Sequence, residues 1–202
     1  MIKLKDIKKM ENEFEYYVIE RAGDKAYPLL KTADNSIHTS NYLFFNKKNE
    51  ILNPEVMEFV FGKPYPRKPI IGDYFSQTES IVSEKIKNVL EPLKIKGIQL
   101  IPATVTSNKG EVYEGYYYIH IYHRIEAMDR ENSKYKQDDD YFSIDRFFLD
   151  KKILEKIPLE ERLIFKLKEG PTKKLYHKSI VDAIVAVNPT GVQFIKVENW
   201  RF

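Results

Sequence analysis

The chain contains no cysteine among its 202 residues, which excludes disulfide bonds, thiolate metal sites and cysteine nucleophiles together. Small secreted proteins commonly depend on disulfides, so we expect a reducing, cytoplasmic location. Residues 1–17 mix charged side chains with isolated apolar ones and contain no uninterrupted apolar stretch. We therefore expect neither a signal peptide nor a membrane span.

A dominant charge of one sign is also missing. Lys and Arg total 33 against 30 Asp and Glu, and the two signs are interspersed along the chain. Proteins that bind nucleic acids through a basic face show a clear excess of positive charge. The composition therefore disfavours nucleic acid as a partner.

Reaction motifs are missing as well. The chain has neither G-x-S-x-G nor G-x-x-x-x-G-K-[ST], and its eight glycines occur singly. His120 and His123 point to opposite faces of a predicted strand, with no further cluster to complete a zinc site. The run Asp138–Asp140 lacks the spacing of a calcium loop and is typical of a solvated loop. We expect no catalytic residue, cofactor or metal.

What the chain does contain is a spaced internal similarity. Residues 81–103 align without a gap with residues 175–197, and apolar positions coincide where identity is lost. The identical pairs are Ile86 with Ile180, Gly97 with Gly191, Gln99 with Gln193 and Ile101 with Ile195. Each copy is typical of an amphipathic helix, a glycine turn and a strand. Two copies are too few for a solenoid, so we predict a duplicated helix–Gly turn–strand unit in an α+β fold with a largely antiparallel sheet.

The first sixty residues are predicted to be β-rich. Strand-forming residues cluster at 15–20 and 42–45, and Pro54 and Gly62 frame a predicted short helix at 55–61. The prolines that follow suppress regular structure. This segment marks a boundary between a β-rich N-terminal part, 1–62, and an α+β domain, 63–202, unless the two form one continuous domain, the arrangement we favour.

Several further elements are predicted in the second half. Strands at 98–105 and 116–125 are separated by a turn at 107–110, which predicts a hairpin. The polar stretch 128–145 predicts a short helical turn and a surface loop, and residues 163–170 predict a strand that ends in a glycine turn. Trp200 and Phe202 would be costly to expose, so we expect a packed C-terminus.

The tyrosine-rich strand allows two interpretations. Alternation places Tyr116, Tyr118 and His120 on one face and the apolar positions 117, 119 and 121 on the other. If one face is core, the other exposes tyrosines. Such tyrosines suit a stacking platform for nucleic-acid bases or a protein-binding surface.

Eight motifs follow one another in a specific order from position 62 onward. They are GKPYP at 62–66, DYFS at 73–76, IVSEKIKNVLE at 81–91, GIQLIPATV at 97–105, GYYYIHI at 115–121, AMDRENSKY at 127–135, LIFKLKEG at 163–170 and GVQFIKV at 191–197. In this order they resemble a bacterial family, once known only as a domain of unknown function, assigned to the immunity proteins of polymorphic toxin systems, the Myxococcus-type group. The resemblance covers roughly residues 62–197, and the preceding residues resemble no family.

This resemblance implies a cytoplasmic protein that binds and neutralises a cognate toxin and that has no catalytic motif. We expect the contact where exposed aromatic and acidic residues meet. The predicted contact residues are Tyr113, Tyr116, Tyr118, Asp129, Asp138, Asp139, Asp140 and Tyr141. If the toxin is a nuclease, the aspartate run would imitate phosphate charge. Edge strands also leave a homodimer open.

Two other functions remain compatible with the residues. One is a small enzyme with an acid–base site built from His120 or His123 together with Glu126 and Asp129. The other is a nucleic-acid-binding adaptor that uses Tyr116, Tyr118 and the lysine pairs, and steeply salt-dependent binding would distinguish it.

Overall fold

The computed structural model describes residues 13–33, 47–76, 80–138 and 141–202, apart from the side chain of Tyr141. In these ranges the chain forms thirteen strands and three short α-helices. The strands are β1 (Tyr16–Arg21), β2 (Leu29–Thr32), β3 (Met57–Gly62), β4 (Tyr74–Phe75), β5 (Ile81–Ser83), β6 (Ile98–Thr106), β7 (Val112–Ile121), β8 (Arg124–Ile125), β9 (Lys134–Asp138), β10 (Tyr141–Arg146), β11 (Ile164–Leu167), β12 (Lys174–His177) and β13 (Val192–Lys196). The helices are α1 (Glu84–Leu90), α2 (Lys151–Leu154) and α3 (Lys178–Val185).

The strands form two large sheets and one small one. The first sheet has the order β13-β1-β12-β11-β8, the second has the order β2-β3-β6-β7-β5-β4, and β9 pairs with β10. Most pairs are antiparallel, and β3–β6 and β11–β8 are parallel. The fold is therefore rich in sheet, of mixed and mainly antiparallel pairing, with few helices. No helix in the described ranges is long and apolar enough to cross a membrane.

The N-terminal strands are integrated into both large sheets. The predicted strand at 15–20 is confirmed as β1, which lies between β12 and β13. The predicted helix at 55–61 is wrong, because Met57, Phe59 and Phe61 alternate as buried positions of strand β3. This strand pairs with β2 and β6, so long-range pairing overrides the local helix signals. The predicted strand at 42–45 lies outside the described residues. The division at position 62 stays a prediction.

The hairpin predicted around residues 107–110 is confirmed as β6 and β7. Both faces of β7 are buried: Ile119 and Ile121 join the core that contains α1 and α3, and Tyr116 and Tyr118 join a second core on the opposite face. The expectation that Tyr116 and Tyr118 are exposed is therefore wrong. Alternation predicts which residues share a face, but it does not predict whether a second layer covers that face.

The two similar segments contain the predicted elements in the predicted order. In each, a helix is followed by a glycine with positive φ, +78° at Gly97 and +72° at Gly191, and then by a strand. Helices α1 and α3 supply buried residues to the same core. The strands that follow belong to different sheets, however, with β6 internal in one and β13 at the edge of the other. A duplication of one ancestral unit stays a prediction.

The polar stretch after Asp129 differs from the prediction. A turn at residues 130–132 leads into the hairpin β9–β10, where a surface loop was expected. Strand β9 is largely exposed, so the surface location is confirmed. The strand was not predicted because most of its residues are polar rather than the β-branched and aromatic residues typical of strands.

The C-terminal expectations are confirmed with one exception. The strand predicted at 163–170 is β11. Trp200 is buried against Phe147, with ring centroids 5.5 Å apart, and its indole N–H donates to Glu20. Phe202 is 95% exposed, so the expectation that it is packed is wrong.

Candidate partner-binding surface

The turn that begins at Asp129 is held by its own carboxylate. Oδ1 accepts hydrogen bonds from the backbone N–H groups of Glu131 and Asn132, each 3.1 Å long, and Oδ2 accepts one from the Asn132 amide at 2.7 Å. The Asn132 side chain and these backbone groups hold the pKa of Asp129 below its ordinary value. Asp129 is therefore ionised and fixed in place at the base of the hairpin.

Hairpin β9–β10 extends from this turn and is anchored by aromatic packing. The rings of Tyr135 and Phe142 lie 5.6 Å apart, and the Arg130 guanidinium lies 5.4 Å from the centre of the Phe142 ring. Both aromatic residues pack against the core that contains Phe147 and Trp200. The inner face of the hairpin is thus fixed while most of β9, including Asp138, is exposed.

Two adjoining pockets flank the turn. The first has a volume of about 610 Å³, and the second has a volume of about 530 Å³. They share Asp129, Asn132, Asp150 and Lys152. The first contains the aromatic rings of Phe14 and Phe148 and the cation of Arg146, which stacks on Phe148 at 4.6 Å. The second has an excess of carboxylates, and we call it the acidic pocket.

The acidic pocket is lined by ten residues, seven of which have acidic or basic side chains. They are Glu126, Asp129, Glu131, Asp150 and Glu169 on the acidic side and Arg130 and Lys152 on the basic side. Asp150 caps helix α2 by accepting hydrogen bonds from the N–H groups of Lys152 and Ile153. The capped helix and the fixed turn therefore give this surface rigid walls.

The predicted contact residues are divided between this surface and the core. Asp129 and Asp138 lie on or beside the hairpin, whereas Asp139, Asp140 and the side chain of Tyr141 lie outside what the structure describes. Tyr113 is half-buried on β7, in another sheet, with its ring stacked on Phe61 and its hydroxyl donating to Glu111.

Tyr116 and Tyr118 are both buried. The Tyr116 hydroxyl donates to the carbonyl of Gly72 at 3.0 Å, and burial raises the pKa of this tyrosine to about 12. Tyr118 is completely buried. The interpretation of these rings as an exposed stacking platform is therefore wrong.

The alternative acid–base residues do not line one common pocket. Glu126 and Asp129 line the acidic pocket, and neither His120 nor His123 does. His120 is fully buried, and its Nε2 lies 2.9 Å from the carbonyl oxygen of Asn49. Burial lowers the pKa of His123, although Glu161 opposes this shift. Among the described residues, no group of three or more histidine and carboxylate side chains could hold a metal ion.

Sequence reasoning missed several residues of this surface. Arg130 follows Asp129 directly, whereas the fold brings Asp150 and Glu169 to it from positions up to forty residues away. Asp150 carried a usable signal, because an aspartate before a short apolar helix is a common N-cap. Glu169 carried none, since it precedes an ordinary glycine turn.

Comparison with known families decides the assignment. Residues 16–199 match the family described as Immunity protein family (Imm11). The chain belongs to this immunity protein family. The match begins at β1 and so includes the N-terminal strands, which by sequence alone resembled no family. A comparison with curated proteins gave no significant match.

Membership in the Imm11 family indicates an immunity function, the neutralisation of a toxin. Immunity proteins of this kind are typically non-enzymatic. Both large sheets lie within the matched residues, so the assignment refers to the whole described fold rather than to one motif.

Proposed function

We propose that this Imm11 protein binds a cognate bacterial toxin in the cytoplasm and neutralises it by forming a stoichiometric complex. The observation that carries this proposal is the family match over residues 16–199. An inhibitor of this kind needs a rigid, complementary surface and a slow off-rate, and it needs no reactive group.

The proposed contact surface is hairpin β9–β10 with the two pockets at its base. It combines features that favour protein recognition: a fixed turn, aromatic anchors, concave walls and charged groups at the rim. Asp129 and Asp138 are its predicted contacts in the described part. Tyr141 of β10 also belongs to the proposal, as do Asp139 and Asp140, which lie outside the described residues. Tyr113 would contact a toxin only if the interface also reached the second sheet.

Local charge, rather than net charge, would guide the encounter. The whole chain has a formal net charge of +3, which does not attract a cationic partner. The aspartates of the hairpin would nevertheless meet a basic patch on the toxin, because charge complementarity at an interface acts over short distances in salt.

The experiment is a protection assay with the product of the neighbouring gene. Expression of that product should stop growth, and co-expression of this protein should restore it. A catalytically inactive variant of the toxin should co-purify with this protein. The Asp138→Lys variant should weaken protection, because it reverses a charge on the hairpin. The matched variant Glu155→Lys, on an exposed residue that lines neither pocket, should protect fully.

Loss of protection in both variants, or in neither, would argue against the hairpin as the contact. Absence of protection by the unmodified protein, with a toxin shown to be active and folded, would argue against the neutralising function itself.

A further inference from the structure

The acidic pocket contains a carboxylate that is only partly satisfied. Glu169 lines the pocket and is 7% exposed. Its Oε1 accepts a hydrogen bond of 3.0 Å from the backbone N–H of Met128. Its Oε2 is buried and has no hydrogen-bond partner in the described part of the chain. A buried carboxylate oxygen without a donor is costly, so this atom favours a hydrogen-bond donor from outside the chain.

Of the other four carboxylates of the pocket, three already accept hydrogen bonds and the fourth, Glu131, is exposed, which singles out Glu169. Glu126 accepts hydrogen bonds from Lys168 at 2.8 Å and from Arg130 at 3.1 Å. These cations, Lys168 first, hold the pKa of Glu126 below its ordinary value. Asp129 and Asp150 use their oxygens to hold the turn and the helix cap. These groups contribute negative potential, and Glu169 contributes the acceptor.

The chemistry of the pocket favours a cation that is also a hydrogen-bond donor. Five carboxylates line it against two cationic side chains, one of which, Arg130, is paired with Glu126. No group of three or more ligating side chains is arranged for a metal ion among the described residues. A guanidinium fits better, because it is weakly hydrated and presents several donors in one plane to separate acceptors.

We propose that the acidic pocket is a guanidinium-binding site in which Glu169 Oε2 accepts a hydrogen bond from an arginine side chain of the toxin. The assignment of this arginine to a toxin rests on the function proposed above. The binding of a guanidinium by the pocket is independent of that function, so each of the two claims can be refuted without the other. The arginine would act as an anchor of the interface, since charged hydrogen bonds shielded from water are among the strongest contacts between proteins.

The first test uses methylguanidinium chloride and the protein alone. The backbone amide of Met128 reports on the site, because it donates to Glu169. We expect a saturable shift of this amide in NMR spectra, with a dissociation constant on the order of 10 mM, that sodium chloride at equal concentration does not produce. In Glu169→Gln, which replaces the free oxygen by an NH₂ donor, the saturable shift should disappear.

The control is Glu155→Gln, which makes the same chemical change and the same charge change on an exposed residue away from both pockets. It should bind methylguanidinium as the unmodified protein does. A second variant keeps the proposal testable if Glu169→Gln fails to fold. Glu131→Lys places a cation at the exposed rim of the pocket and should weaken binding, whereas Glu155→Lys should not. Equal binding by all variants, or a shift that sodium chloride reproduces, would overturn the proposal.

The second test uses the complex with the inactive toxin. Glu169→Gln should raise its dissociation constant by at least about tenfold, and Glu155→Gln should leave it unchanged. A complex of undiminished affinity with Glu169→Gln would overturn the arginine anchor while leaving the neutralising function intact. Binding of methylguanidinium without any toxin complex would instead leave the site intact and count against the function.

Discussion

Gly97 occupies the point where the connection from α1 to β6 passes closest to the end of β7. Its φ of +78° belongs to the left-handed region, and its carbonyl accepts hydrogen bonds from the N–H groups of Tyr122 and His123. A Cβ at this position would lie 2.2 Å from the Cβ of His123. Glycine is therefore required at this position for two reasons: the backbone conformation is left-handed, and there is no space for a Cβ beside His123.

Replacement of Gly97 by alanine should lower the free energy of unfolding by at least about 3 kcal/mol, since left-handed strain and a steric clash add. The measurement is urea unfolding followed by circular dichroism. Gly115 provides the control, because its φ is +76° and no atom lies within 4 Å of its would-be Cβ. Gly115→Ala should cost only about 1 kcal/mol. Equal losses in the two variants would show that the contact with His123 does not matter.

A buried arginine shows why single residues are hard to interpret from sequence. In the run PLEER, Arg162 has the sequence context of a surface residue, yet it is fully buried. Its guanidinium donates to Tyr16, to the carbonyl of Ile157 and to both the backbone and the carboxylate of Glu13. These partners lie up to 149 residues away. Local pattern contains no information about contacts at such separations.

Asp73 joins three elements that the sequence separates widely. Its Oδ1 accepts from the Ser83 hydroxyl at the start of α1, and its Oδ2 accepts from Lys85 and from the N–H and hydroxyl of Thr190. Thr190 immediately precedes Gly191 and strand β13. Burial by itself raises the pKa of Asp73, but the hydrogen bonds from Ser83, Thr190 and Lys85 outweigh it and hold the pKa below its ordinary value.

The lowered pKa of Asp73 determines how its contribution to the free energy of unfolding changes with pH. The ionised carboxylate stabilises the fold fully above its unfolded pKa, near 3.8, and this contribution is lost as the pH falls through the lower folded pKa. Asp73→Asn should therefore reduce the free energy of unfolding by about 2 kcal/mol at pH 7, and the difference should shrink below about pH 4.

Asp145→Asn is the matched control, because Asp145 forms an exposed ion pair with Lys134 at 3.4 Å and should contribute at most about 0.5 kcal/mol. Urea unfolding at pH 7 and near pH 3 measures both variants. A difference between Asp73→Asn and the unmodified protein that stays constant over this range would contradict the role of the ionised carboxylate.

Helices, strands and turns could be predicted from the sequence where the residues that determine them are close together in the chain. Strand β1, helix α1, the β6–β7 hairpin and both glycine turns were predictable, because β-propensity, helical spacing and turn glycines act within a few residues. The segment 55–61 was not predictable, since its strand state depends on pairing with β6, 46 residues later. Hairpin β9–β10 was missed because exposed polar strands lack an apolar pattern.

The whole molecule is defined by two large sheets that share one core, with further cores on their outer faces. Ile19 on β1 and Ile119 on β7 lie in the shared core, whereas Tyr16 and Tyr118 on the same strands lie in the outer ones. This layering buries Tyr116 and Tyr118, two of the tyrosines that the sequence predicted as partner contacts. It leaves hairpin β9–β10 and the neighbouring pockets as the candidate surface.

The family was predictable from the ordered motifs from Gly62 onward, because those motifs contain the glycine turns and the buried strands of the fold. Among the described residues, the sequence pointed to the candidate surface only at Asp129 and Asp138. Glu169 and Asp150 reach it through the pairing of β8 with β11 and through the capping of α2. The chemistry of the surface thus depends on tertiary contacts that one sequence does not reveal.

The measurement that most directly tests the neutralising function is titration calorimetry of the purified protein with the inactive form of the neighbouring gene's product. We expect a one-to-one complex with a dissociation constant on the order of nanomolar or tighter. A folded toxin that produces no binding heat at several temperatures, and no complex in gel filtration, would contradict it.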